Sequence, residues 1–173
     1  MKRIIPILVA GIITATVVYA SRINYETAPI RAAPTIYITQ PEYTPPKYTP
    51  EELETLAIII YQEAGADSIP DNIREYVGCV VLNRVEHPGF PDTIQEVATE
   101  KQQWGCLYWT GIQWPERASL PEESRAVERA RACAKKLLEA DTRSVPKNVI
   151  WCAEFPQGSG TWQQYNDEIY FCY

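Results

Sequence analysis

The strongest constraint on this chain is an abrupt change at Thr49. From Ser21 to Tyr48, Pro29, Pro34, Pro41, Pro45 and Pro46 are set among Thr, Tyr and Ala without apolar periodicity, which is the composition of an extended spacer. Thr49-Pro50-Glu51-Glu52 then supplies a helix start. Thr49 stands as N-cap, Pro50 occupies the first helical position where a missing N–H is no loss, and Glu52 closes a capping box. Beyond it Leu53, Leu56, Ala57 and Ile60 recur at helical spacing, while Ile58 and Ile59 put apolar surface on the other side. A helix that is apolar nearly all round must be covered all round, so the pattern predicts a central helix with the rest of the domain packed about it.

That helix ends on an anomaly. Leu56, Ile60 and Glu63 stand at i, i+4 and i+7, so Glu63 continues the apolar stripe just before the helix stops at Gly65. Desolvating a carboxylate is costly, and no Lys or Arg lies within a helical turn to offset it. Partial burial beside Ile59, Ile60 and Tyr61 raises the pKa of such a group, which suits a general acid that holds its proton near neutrality. Glu63 is therefore the candidate catalytic residue.

The remaining segments predict an α+β domain, mainly helical, over residues 49–173. From about Pro70 to Val85, Ile73, Tyr76, Val77, Val80 and Val81 mark one side of a second helix. The run Val77–Val81 alone would also suit a buried strand, but the length and the polar flanks favour helix. Pro88-Gly89-Phe90-Pro91 breaks the chain, and Asp92 is the expected cap of a short helix containing Ile94 and Val97. Lys101 to Trp114, rich in aromatics and amides, is expected to be mostly loop. A long helix is expected from about Pro121 to Ala140, with Ala126, Ala130, Cys133, Ala134, Leu137 and Leu138 as its stripe and Glu122 and Glu123 at the positive end of its dipole. Asn148–Cys152 and Glu168–Tyr173, on either side of a Gly/Ser/Asn-containing turn region, are expected to pair as a small antiparallel sheet.

Residues 1–20 open with Lys2 and Arg3, run uncharged from Ile4 to Tyr19, and close on Val18-Tyr19-Ala20 before Ser21. They read as a signal peptide cut after Ala20 or, if retained, as a membrane anchor through residues 4–20. Either way the domain is expected to be exported to the cell envelope or beyond it. The formal charge is −6, and two units more negative without Lys2 and Arg3. The basic cluster Arg125, Arg129, Arg131, Lys135 and Lys136 is interleaved with Glu122, Glu123, Glu128 and Glu139, so no nucleic-acid partner is expected. Of five cysteines, Cys79 and Cys133 lie in apolar helical patterns and read as inert core thiols. Cys106, Cys152 and Cys172 remain for one disulfide, and Cys152 and Cys172 are expected to be near neighbours in the C-terminal hairpin. There is no C-x-x-C, and the single histidine, His87, sits beside Pro88, so neither a metal, nor a cofactor, nor a Cys–His nucleophile pair is expected.

Taken in order, Leu56-Ala57-Ile58-Ile59-Ile60-Tyr61-Gln62-Glu63-Ala64, Val80-Val81-Leu82-Asn83-Arg84-Val85, Phe90-Pro91-Asp92-Thr93-Ile94 and Gln103-Trp104 resemble the catalytic domain of the SleB-type cell wall hydrolases, over roughly residues 52–173. The resemblance implies a lysozyme-like domain with a small sheet, and peptidoglycan glycan strands as the partner, cut between N-acetylmuramic acid and N-acetylglucosamine. It also places that family's catalytic glutamate, in a Tyr-x-Glu-Ala motif, on Glu63. Two departures stand out. The family usually continues Glu-Ala-Arg-Gly-Glu where this chain has Glu63-Ala64-Gly65-Ala66-Asp67, and Gln103-Trp104 replaces the usual Gln-Phe. The spore-cortex specificity of the best-known members is accordingly not carried over.

Sugars need flat apolar faces to stack on and amides to bond their hydroxyl and acetamido groups, so Tyr61, Asn83, Gln103 and Trp104 are the expected substrate-binding residues. Trp109, Trp114 and Trp162 could extend a groove. One acid suffices for a lytic transglycosylase, in which the muramic C6 hydroxyl is the nucleophile, whereas a muramidase needs a second carboxylate. Asp67, Asp71, Glu75, Glu96, Glu100 and Glu154 each fit a solvated or capping position. The transglycosylase is therefore favoured, with a hydrolytic muramidase or a non-catalytic peptidoglycan-binding module as alternatives.

Overall fold

The computed structural model describes residues 47–173 apart from Gln102 and Cys106. The N-terminal apolar segment, all but the end of the spacer, and Cys106 lie outside the described residues. Among the described residues, no helix is long and apolar enough to cross a membrane.

Helix α1 (Pro50–Ala64) begins as its sequence predicts. The Thr49 hydroxyl accepts from the Glu52 N–H at 3.1 Å, and the Glu52 carboxylate accepts from the Thr49 N–H at 2.7 Å. Every residue from Thr55 to Tyr61 is buried, and α2 (Asp71–Glu86) and α5 (Ser124–Glu139) pack against the helix with the short α3 (Ile94–Ala98) beside them. Gly78 is what lets α2 and α5 approach, since a Cβ there would lie 2.4 Å from Leu137 Cδ1. Three of the basic residues of α5 are spent on neighbouring acids: Arg129 on Asp71 at 2.7 Å, Arg131 on Glu54 at 2.9 Å, and Lys136 on Glu75.

Three details differ from the sequence reading. The cap of α3 is Thr93, whose hydroxyl accepts from the Glu96 N–H at 3.2 Å and donates to the Glu96 carboxylate at 2.8 Å, while Asp92 stands one residue too early to reach the free N–H groups. The 101–114 stretch contains a further short helix, α4 (Leu107–Thr110), pinned by the buried Leu107. The helix expected from Pro121 starts as a tight 3-10 turn at Pro121–Glu123, because the Pro121 carbonyl accepts from both the N–H and the hydroxyl of Ser124, the latter at 2.8 Å, and a separate 3-10 turn at Glu116–Ser119 precedes it.

The sheet has one strand more than expected. β1 (Trp151–Ala153), β2 (Thr161–Tyr165) and β3 (Ile169–Cys172) lie in the order β1-β3-β2, antiparallel throughout. Strand β2 occupies the stretch expected as turn. It joins β3 through Asn166 and Asp167, at φ 49° and 55°, with the Glu168 N–H donating to the Tyr165 carbonyl at 2.9 Å, a type I′ turn. Cys152 and Cys172 do fall on adjacent strands, but Cys152 stands opposite Phe171 and Cys172 opposite Trp151. Directly opposed residues share a face, so the two thiols point to opposite faces, and both are free. The two cysteines are near neighbours as expected, but no disulfide joins them.

Candidate active site

Arg74, Asn83 and Arg84 are fully buried on α2, and burial of such groups is tolerable only if their hydrogen bonds are made. Asn83 and Arg84 make them to the backbone of a distant loop, and Arg74 makes them through its terminal nitrogens to the turn just before α2, while its Nε has no partner among the described residues. Arg74 donates to the carbonyls of Gly65 at 3.3 Å, Ala66 at 2.7 Å and Ile69, bracing the turn that follows α1. The Asn83 amide donates to the Pro146 and Val149 carbonyls at 2.8 and 2.9 Å and accepts from Arg143 at 3.3 Å. Arg84 donates from Nε to the Ile150 carbonyl at 2.7 Å and pairs with Glu100 at 3.4 Å. Its guanidinium lies 4.9, 5.0 and 5.2 Å from the ring centres of Phe90, Trp104 and Trp151. Burial lowers its pKa to about 10, which still leaves it charged at neutrality. Helix α2 is thus a bracket: one arginine holds the chain after Glu63, and the other, with Asn83, holds the chain that leads into β1.

Between the end of α1 and the end of β1 opens a cleft of about 610 Å³. Glu63 and Gln62 come from α1, Glu154 and Phe155 follow β1, Gln103 comes from the loop after α3, and Gln157 and Glu168 complete the far wall. Gly105, at φ 51°, closes the loop over the acid, since a Cβ there would sit 3.8 Å from a Glu63 carboxylate oxygen. Glu63 is partly buried, and its carboxylate makes no hydrogen bond among the described residues. Burial, and after it the negative charge of Glu154, raise its pKa to about 7. The neighbouring Cys152 thiol is pushed up in turn, by burial first and by Glu63 second, so it stays protonated and is no nucleophile.

A second chamber of about 280 Å³ adjoins the first and shares Gln62, Glu63 and Ile69 with it. Its other walls include Tyr61, Arg117 and Glu123. The Tyr61 hydroxyl donates to Glu123 at 2.8 Å, and the Arg117 guanidinium lies 5.1 Å from the Tyr61 ring centre.

Of the residues expected to bind substrate, Gln103 stands in the cleft with Glu63. Tyr61 borders only the smaller chamber and is 1 % exposed. Asn83 and Trp104, 1 % and 2 % exposed, do not line the cleft and belong to the bracket that shapes it. Trp114 donates to Glu54 at 2.9 Å, Trp162 packs edge-on to Tyr76 at 5.2 Å, and Trp109 is exposed away from the cleft walls. Among the carboxylates considered as second acids, Glu154 is the one the fold brings beside Glu63. Asp71 and Asp67 pair with Arg129, Glu75 with Lys136, Glu100 with Arg84, and Glu96 serves the α3 cap. Gln62, Phe155, Gln157 and Glu168 went unremarked in the sequence. Gln62 is simply the neighbour of Glu63 on α1, whereas no local pattern announces Phe155, Gln157 and Glu168, because they meet Glu63 only through long-range pairing of β1 and β3.

A protonatable carboxylate at the floor of an open, amide-lined cleft is the equipment of a hydrolase that works by general-acid catalysis. Comparison with protein families gives the hydrolase class and leaves the mechanism open. The profile of the Cell Wall Hydrolase family matches residues 70–169, more than half of the chain, and the chain belongs to that family. The match opens at Pro70, so Glu63 and α1 precede it while Glu154 falls inside it. No curated protein and no solved structure matches the chain.

Proposed function

We propose that this cell wall hydrolase cuts the glycan strand of peptidoglycan between N-acetylmuramic acid and N-acetylglucosamine, as a SleB-type lytic transglycosylase with Glu63 as its acid and base. The observation that carries this is the state of Glu63: half out of water, unbonded among the described residues, open to a cleft, and holding its proton to about pH 7. Protonated Glu63 gives its proton to the bridging oxygen as the bond to the muramic C1 breaks. The muramic C6 hydroxyl then closes on C1, and its proton passes to the Glu63 carboxylate, which restores the acid and leaves a 1,6-anhydro end. No water is consumed, so one carboxylate is enough. A second reading has one observation in its favour: Glu154 lines the same cleft, where it could deprotonate a water or attack C1 and leave a reducing end.

For this activity the domain has to meet the wall, and export through residues 1–20 is part of the proposal. N-terminal sequencing of the exported chain tests whether it is cut after Ala20 or kept as an anchor. The chemistry is tested by incubating the full chain with purified peptidoglycan and weighing the released muropeptides. Anhydro ends, each lighter by one water, support the transglycosylase; reducing ends that still depend on Glu63 move the mechanism to the muramidase; uncut glycan removes the proposal.

A further inference from the structure

The two chambers that meet at Glu63 differ in charge, and so do successive sugars of a peptidoglycan strand. The larger chamber carries Glu154 and Glu168 and has neither Lys nor Arg among its described walls. What it offers a ligand is neutral: the amides of Gln62, Gln103 and Gln157, whose side chains are unbonded among the described residues, and Phe155. Phe155 is 62 % exposed and is the one aromatic ring among those walls. Its open face matches the apolar C–H face of a pyranose, with the amides placed for hydroxyl and acetamido groups. The smaller chamber holds the cation. Arg117 lies over the Tyr61 ring and has no carboxylate at ion-pairing distance among the described residues, Glu123 being engaged by the Tyr61 hydroxyl.

Resting on the glycan-cleaving reading above, we propose that the cleft binds the strand in one direction only, with N-acetylglucosamine on Phe155 and the muramic acid on the far side of Glu63, where Arg117 pairs with the carboxylate-bearing substituent. The bond joining the two sugars then lies over Glu63, the acid both chambers share. The reverse direction would set the anionic substituent against Glu154 and Glu168 and leave Arg117 on the Tyr61 ring without an anionic partner, so the charge difference between the chambers favours one polarity.

The test uses the full chain carrying Glu63→Gln, which keeps ligands intact, and two probes measured by calorimetry. One is triacetylchitotriose, neutral and free of muramic acid; the other is a soluble tetrasaccharide of N-acetylglucosamine and peptide-bearing N-acetylmuramic acid. Adding Phe155→Ala weakens both by about tenfold, the loss of one aromatic platform. Adding Arg117→Gln weakens only the muramyl ligand, by about tenfold or more, and Arg117→Lys restores most of it. Both side chains are exposed, so unchanged melting confirms that the variants are folded. The orientation is overturned if Arg117→Gln weakens the two ligands equally or neither, if Phe155→Ala binds chitotriose as before, or if the folded Glu63→Gln chain binds no glycan. Failure of the proposed function shows elsewhere, as wall glycan left uncut by the wild-type chain.

Discussion

Glu63 and Glu154 line one cleft but arrive there by different routes. Glu63 is delivered by α1, a helix whose start, period and end are all written within residues 49–65. Glu154 follows a three-residue strand, and that strand is held by bonds from Asn83 to Val149 and from Arg84 to Ile150, each spanning 66 residues of sequence. One wall is local and self-specifying; the other depends on a buried arginine and amide meeting a loop far along the chain. The lesson is that the motif residues resembling a known family are mostly the second wall's supports. Asn83, Arg84, Phe90 and Trp104 do not line the cleft, yet they decide where Glu154 and Phe155 stand.

The largest effect is expected on the self-specified wall, and it should fall on activity alone. Glu63→Gln should lower glycan cleavage by about 10² to 10⁴, the usual worth of a general acid. Stability should move the other way. The folded pKa of Glu63, about 7, stands above the ordinary glutamate value of 4.5, so the native state holds this proton more tightly than the unfolded state does. That contribution is fully present below pH 4.5 and is lost as pH rises through about 7. Melting of the glutamine variant should therefore match wild type in acid and exceed it at pH 8. A variant that melts lower than wild type at pH 8 would mean that Glu63 is a structural anchor.

On the supported wall the signs reverse. Arg84→Met keeps much of the side-chain length but leaves the Ile150 carbonyl unpaired and removes the cation from between Phe90, Trp104 and Trp151. A loss of about 3 kcal/mol is expected. Hydrogen exchange should show it unevenly, with β1 and β3 amides losing protection before those of α1. Equal loss everywhere would erase the contrast between the two walls.

The same contrast explains what the sequence disclosed. The capping box, the all-round apolar face of α1, the stripe of α5 and the helical reading of 70–85 rest on neighbours within a few residues, and the structure has each of them. Glu63 was legible for the same reason, as a charge placed on an apolar stripe. Strand β2 was not: Thr161-Trp162-Gln163-Gln164-Tyr165 is a largely exposed edge with a bulge, so no clean alternation marks it. Its one local signal is Asn166-Asp167, a pair that tolerates the left-handed turn. Asn83 and Trp104 read as ligand contacts because amides and aromatics serve sugars and cores alike, and only burial separates the two uses.

A smaller effect should come from the local wall's first turn. Thr49→Ala removes one capping hydrogen bond and should cost about 1 kcal/mol, a few degrees of melting temperature. Because the cap lies at the opposite end of α1 from Glu63, the rate of glycan cleavage below the melting range should not change. A fall in rate without a fall in melting temperature would tie the cap to the cleft and contradict the separation.

The smallest effect sharpens the comparison most, because it asks what the supported wall does to the self-specified one. Burial is the main reason Glu63 keeps its proton, and the Glu154 charge is the second. A general acid works only while protonated, so cleavage should fall as pH rises through the Glu63 pKa, giving a basic limb near pH 7. Glu154→Gln removes the neighbouring negative charge and leaves the burial, so ionised Glu63 becomes less unfavourable and its pKa drops. The basic limb should move to lower pH while the rate on its acid side, and the anhydro ends of the products, persist. Added salt should reproduce part of the shift in the wild-type chain, since Glu154 is exposed and its field is screened. If Glu154→Gln instead abolishes cleavage at every pH, Glu154 takes part in the bond-breaking itself, and the single-acid mechanism gives way to a muramidase with its second carboxylate on β1's far end. An unmoved limb with full activity would mean that the two walls share a cleft without sharing a charge.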